Sequence, residues 1–265
     1  MPLPENTPQT IRKDPWARLK TFTAARIAMG RAGVSVPTAA QLDFQIAHAK
    51  ARDAVLLPLD KDALFTDLAG AGFPATELTS RARDRREYLL RPDLGRRLDP
   101  HSADLLRERA GSSQAPDLAI VAADGLSTTA IARQAVPFLE TFAPLAAKRG
   151  WTVSGAFFVN LGRVAVGDEI GEILGARAVA VLIGERPGLS SPDSMGVYMT
   201  YAPAVGLTDE RRNCISNIRP EGQPFAKAAR TLDHLLAKAF AACISGVCLK
   251  DDQALECAEV PKVCV

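Results

Sequence analysis

Asp117-Leu-Ala-Ile-Val-Ala-Ala-Asp-Gly125 is a short apolar run closed by a polar turn. It is too short for a buried helix and shows no polar alternation, so it reads as a strand covered on both faces. Similar runs follow at 153–159, 178–183 and 197–201, with a weaker one at 214–218. Between them lie a long helical stretch at 127–150, broken by Pro137 and Pro144, and a short helix in Gly167-Asp-Glu-Ile-Gly-Glu-Ile-Leu-Gly175. The latter has acids in its first turn and a glycine at its end, the expected start and stop signals. Strands without alternation, separated by helices, predict an α/β fold: a Rossmann-like parallel sheet with flanking helices over residues 111–265.

Upstream, residues 1–110 read as a helical N-terminal region. Trp16-Ala-Arg-Leu-Lys-Thr-Phe-Thr-Ala-Ala-Arg-Ile-Ala-Met-Gly30 has good helix formers and a glycine stop. A second helix opens at Pro37, with Leu42, Ile46 and Ala49 at i, i+4, i+7 spacing, and short helices are expected around 60–72 and 76–90. Residues 80–97 hold seven arginines against three acids. Such a run usually forms a solvated helix face with local ion pairs, and the sharper reading is a docking surface for an acidic partner or a phosphate.

The whole chain has 265 residues, with 32 basic and 30 acidic side chains, so its charge balance calls for no nucleic-acid partner. No apolar run approaches the roughly 20 residues of a membrane span. The N-terminus, Met1-Pro-Leu-Pro-Glu-Asn-Thr-Pro8, lacks the basic-then-apolar pattern of a secretory signal, and an intracellular protein is expected. Five cysteines without a C-x-x-C pair read as free thiols rather than a metal cluster. With only His48, His101 and His234, the chain is poor in acid-base groups for catalysis.

Ligands of open parallel sheets bind at the carboxyl ends of the strands. The polar residues there are Asp124-Gly125-Leu-Ser127, Asn160-Leu-Gly-Arg163-Val164, and the stretch from Gly184-Glu185 to Asp193. Neither the G-x-G-x-x-G dinucleotide fingerprint nor the phosphate-loop motif is present, which disfavours classical NAD binding and an autonomous nucleotidase. Each candidate also has a structural reading. Glu185 can pair with Arg186, Cys214 can be a small buried hydrophobe, and Asp124-Gly125 can be turn chemistry. The residues alone lead to a ligand-binding α/β domain.

Seven stretches go further. Gly30-Arg-Ala-Gly33, Arg91-Pro-Asp-Leu-Gly-Arg-Arg-Leu98, Asp124-Gly-Leu-Ser127, Gly162-Arg-Val164, Asp168-Glu-Ile-Gly-Glu-Ile-Leu-Gly-Ala176, Gly184-Glu-Arg-Pro-Gly-Leu189 and Asn213-Cys-Ile-Ser-Asn-Ile218 together resemble the small (light) subunit of ethanolamine ammonia-lyase. The resemblance implies a non-autonomous lyase subunit in a hetero-oligomer. Its large-subunit partner, a β/α barrel, holds most of the ethanolamine site, and the cofactor adenosylcobalamin carries the radical chemistry. Residues 1–110 would then make subunit contacts and 111–265 would contact the cobalamin. Carried over by position, the implied cofactor contacts are Val164, Glu185 and Cys214, with no catalytic and no metal-ligating residue on this chain. A D-x-H-x-x-G motif is absent, so the cofactor's own base is implied to stay on cobalt. The implied setting is the bacterial cytoplasm. The family's microcompartment targeting goes with a longer N-terminal extension, and the roughly two dozen residues before the matching region count against encapsulation here. The alternative is a non-catalytic cobalamin-binding or scaffold module.

Overall fold

The computed structural model describes residues 11–111 and 114–252. The N-terminal stretch read for a signal, and Cys257 and Cys264, lie outside them. The element order is α1 (Thr38–Leu56), α2 (Lys61–Gly70), β1 (Ala75–Thr79), α3 (Arg85–Leu90), α4 (Pro100–Gly111), β2 (Leu118–Ala123), α5 (Thr128–Arg149), β3 (Val153–Asn160), α6 (Val166–Leu174), β4 (Ala178–Gly184), β5 (Met195–Tyr201), β6 (Arg212–Ile218) and α7 (Phe225–Ala242).

The strands form one sheet in the order β1-β3-β2-β4-β5-β6. Strands β1, β3, β2 and β4 are mutually parallel, whereas β5 runs antiparallel to both β4 and β6. All six residues of β2 are buried. Leu118, Ile120 and Ala122 join the core under α2, α5 and α7, and Ala119, Val121 and Ala123 join the core under α4 and α6. That two-sided cover is why the run lacks alternation. Among the described residues, no helix is long and apolar enough to cross a membrane.

Three expectations change. Residues 76–90 are not one helix: Ala75–Thr79 is an edge strand paired with β3, and only Arg85–Leu90 is helical. At five residues, with Glu77 in its middle, this strand has no apolar run to announce it. The prolines do not break α5, which continues through Pro137 and Pro144. Their missing N–H groups leave the carbonyls of Arg133 and Glu140 without intrahelical partners, and both residues are exposed to water. Burial of Ile131, Ala135, Phe138, Leu139 and Phe142 sustains the helix. Residues 16–30 hold only a 3-10 turn, Ala17–Thr21, because Leu19, Phe22 and Ile27 have no core to meet.

Two glycines fix the close approach of the β2 and β4 ends. Gly125 has φ +58°, and the Leu126 N–H donates to Gly184 O at 2.9 Å. A Cβ on Gly184 would overlap the carbonyl oxygens of Ser127 and Asp124, both backbone atoms that cannot swing aside. Gly184→Ala should therefore lower stability by about 2 kcal/mol or more. Thermal melting is expected to show a drop of roughly 4–8 °C, and an unchanged melting temperature would refute this close-packing account.

Candidate functional site

The carboxyl ends of β2, β3 and β4 open onto a cavity of about 400 Å³. Tyr88, Leu126, Arg163, Val164, Ile183, Gly184, Glu185, Arg186 and Tyr198 line it. This is the end at which an open α/β sheet places its ligands.

The turn after β2 is held from two sides. Ser127 caps α5, its Oγ accepting from Ala130 N at 3.1 Å and donating to Pro192 O at 2.8 Å. Arg85 donates to Gly125 O at 2.7 Å, to Val55 O at 2.8 Å, and to Asp124 Oδ2 at 3.3 Å. Burial pushes the Asp124 carboxyl up to about 6, although the Arg85 guanidinium pulls in the opposite direction.

The turn after β3 delivers Arg163 and Val164. Arg163 N donates to Gly95 O at 2.7 Å, and its guanidinium lies 4.1 Å from the Tyr88 ring centroid while donating to Tyr88 O at 3.0 Å. Tyr88 is fully buried and its hydroxyl bonds Gly162 O at 3.3 Å. Burial raises that phenol to about 12, so it remains a neutral donor. The arginine beside Val164 is thus held by the stretch 81–97. Within that stretch, Arg83 pairs with Glu87, Arg91 with Asp93, and Arg97 with Glu169. The first two are the local ion pairs expected of a solvated face, whereas Arg97 and Arg85 reach out of the stretch to the buried Glu169 and Asp124.

Glu185 lies just beyond β4. Its carboxylate accepts from Ser194 Oγ and from Asn217 N, the latter at 3.2 Å, and its own N–H donates to Ser194 O at 3.0 Å. Antiparallel β5 makes this possible, because the start of β5 and the end of β6 then lie at the same end of the sheet as the end of β4. Cys214 stands on β6 opposite Tyr198 of β5. It is exposed, and its Sγ is 3.1 Å from Ser216 Oγ. Burial and the neighbouring Cys214 push the Tyr198 phenol up.

The structure therefore brings Val164 and Glu185 into one cavity, with Cys214 one side chain away behind Tyr198. The cavity offers a carboxylate acceptor, two guanidinium groups and an apolar wall. None of the three histidines lines it, and it presents no paired nucleophile and base.

Residues 13–250 match the family described as ethanolamine ammonia-lyase light chain (EutC). The chain belongs to this family. It is 54% identical to the ethanolamine ammonia-lyase small subunit of Ralstonia nicotianae, over 97% of this chain and 94% of that protein. The small subunit of Pseudomonas syringae pv. tomato is also 54% identical, over 97% of this chain and 90% of its own length. That of Xanthomonas campestris pv. campestris is 55% identical, over 93% and 91%. Its family is thus that of a component of ethanolamine ammonia-lyase.

Sequence reasoning gave no role to several lining or supporting residues. Arg163 was among the polar residues placed after β3 but was assigned no contact, and Asn217 lies inside Asn213-Cys-Ile-Ser-Asn217, near the singled-out Cys214. Tyr88 and Ser194 carry no local signal, because only the fold brings them to this end of the sheet.

Asp124 also makes a pH dependence testable. A carboxyl whose folded pKa is raised contributes stability that is present below its unfolded value and is lost as pH rises through the folded value. Between about pH 4 and pH 6, wild type should lose thermal stability relative to Asp124→Asn, which cannot titrate there. Parallel melting curves across that range check the sign, and a difference that moves the opposite way would show that Arg85 dominates the carboxyl.

Proposed function

We propose that this small subunit forms one wall of an adenosylcobalamin site that the large subunit completes, and that the pair deaminates ethanolamine to acetaldehyde and ammonia. The observation that carries the reading is the meeting of Val164 and Glu185 in one open cavity, with Cys214 beside it. Cobalamin is a large ligand edged with amides and bearing a nucleotide tail, so its wall needs apolar surface, acceptors for amide N–H groups and donors for carbonyl and phosphate oxygens. Val164 and Tyr198 supply the apolar surface, Glu185 the acceptor, and Arg163 and Arg186 the donors. A cavity of about 400 Å³ takes only an edge of such a ligand, which fits a site shared with a second chain.

When bound, the cofactor supplies the radical chemistry. This chain's residues bind and orient it and keep one side of it from water. With no acid-base pair in the cavity, the ethanolamine-binding and proton-handling groups belong to the large subunit, a β/α barrel by family resemblance. The chain takes no nucleic acid or membrane as partner in this reading, and the assembly works in the bacterial cytoplasm. Residues 1–110 contribute subunit contacts and 111–265 the cofactor wall.

In the assembled enzyme, Glu185→Ala should weaken adenosylcobalamin binding about tenfold, the loss of one or two charge-assisted hydrogen bonds. Ser194→Ala should cost a smaller factor, since it removes a group that only holds the carboxylate. Spectral titration with adenosylcobalamin measures both, and unchanged affinity in Glu185→Ala would remove this residue from the site. Cobalamin-dependent ammonia release from ethanolamine by the pair tests the reaction. Tight cobalamin binding by the small subunit alone would instead favour a carrier or scaffold module.

A further inference from the structure

The N-terminal part of the chain carries apolar surface that its own fold does not use. Twelve of the seventeen large apolar side chains exposed among the described residues lie between residues 11 and 57. Within that segment the buried residues are Pro37, Ala47 and Ala54 alone. Helix α1 shows how this arises. Leu42, Ile46 and Leu56 share one face and are 53%, 55% and 58% exposed, whereas Ala47 and Ala54, on a different face, are 7% and 2% exposed. Its C-terminal end is tied to the start of α5 by Thr128 Oγ1, which donates to Leu57 O at 2.9 Å. A surface helix normally rests on its large apolar side chains. Here the body of the protein receives alanines, and the large side chains face outward.

The position of this face says what covers it. Ile46 lines a cavity together with Leu189 and Pro192 from the loop after Glu185, and Arg26 reaches Leu189 O at 3.5 Å. Leu56 and Leu57 line another with Asp124 and Asn160, at the ends of β2 and β3. The apolar face thus borders the same end of the sheet as the cofactor cavity. A protein interface of ordinary size covers about 800 Å² on each partner, so a chain seated over the mouth of that cavity reaches α1 in the same contact. Asp43, Lys50, Arg52 and Asp53 place both signs of charge along α1. Recognition there rests on shape and apolar burial more than on a single-sign field. A second copy of this chain would bring another open cavity rather than a cover for this one.

We infer that the large subunit docks on this face, with the exposed Leu42, Ile46 and Leu56 of α1 as apolar anchors. The inference rests on the reading of the chain as one wall of a shared site. The occupant is a chain presenting an apolar groove to an amphipathic helix.

The test uses the full chain with the large subunit of the same enzyme, without added cobalamin. Leu42→Glu/Ile46→Glu should weaken association at least about thirtyfold, as expected when two buried aliphatic anchors are lost. Val247→Glu, an exposed apolar position outside this face, should associate like wild type. Sedimentation measures the association, and circular dichroism should show an unchanged fold because both replaced side chains already face solvent. If the glutamates do perturb folding, Leu42→Ser/Ile46→Ser is expected to weaken association in the same direction while keeping the fold. Wild-type association in a folded double variant would overturn the inference. So would a wild-type chain that self-associates through this face while the variant, monomeric, still binds the large subunit normally. Adenosylcobalamin titration of the assembled wild-type pair is read separately, so loss of the cofactor reading would be distinct from loss of the docking face.

Discussion

Strand β2 sits at the centre of the sheet with no face left to solvent, and the rest of the architecture follows from covering it. Its outgoing connection, through α5, leads to β3 on one side, and the next, through α6, crosses back to β4 on the other. The two helices occupy opposite faces. The connections therefore diverge at one end of β2 and leave a crevice there that no helix fills. Val164 and Glu185 lie just beyond β3 and β4 at that end, whereas Cys214 lies within β6, beside Tyr198.

The departure from an all-parallel sheet matters as much as the parallel core. Had β5 followed β4 by another crossover, its first residues would lie at the far end of the sheet. The antiparallel return places Ser194 and Asn217 where both can bond Glu185. The buried Arg212 adds a second tie, since it pairs with Asp168 at the start of α6 and joins β6 to the parallel part of the molecule. Both partners are nearly inaccessible, so loss of Arg212 leaves the Asp168 carboxyl buried without its counterion, whereas loss of Asp168 leaves Arg212 with the exposed Asp209 alone.

Much of this was legible in the apolar runs within 117–125, 153–159 and 178–183, which announce strands covered twice, and in Gly167 to Gly175, whose acids and terminal glycine bracket a helix. Strand β1 was not legible, because five residues at a sheet edge need no apolar run. Nor was the direction of β5, since a strand buried on both faces has the same composition whichever way it points. Periodicity in α1 identified Leu42, Ile46 and Ala49 as sharing a face, yet it carried no information about what lies against that face. The site followed the same division. Val164, Glu185 and Cys214 came from resemblance, whereas Tyr88 and Ser194 became visible only when distant segments met.

The bonds that Glu185 accepts from Ser194 and Asn217 have a consequence for conformational entropy. A glutamate on an open rim samples many rotamers, and a ligand that needs one of them must suppress the others at a cost of about 0.5–1.5 kcal/mol per side chain. Glu185 loses that freedom when the chain folds, so the ordering is complete before any ligand arrives. Two donors leave part of the acceptor capacity of a carboxylate still available. The folded subunit therefore presents an acceptor that is fixed in direction yet unsaturated, and whose binding partner need not organise it.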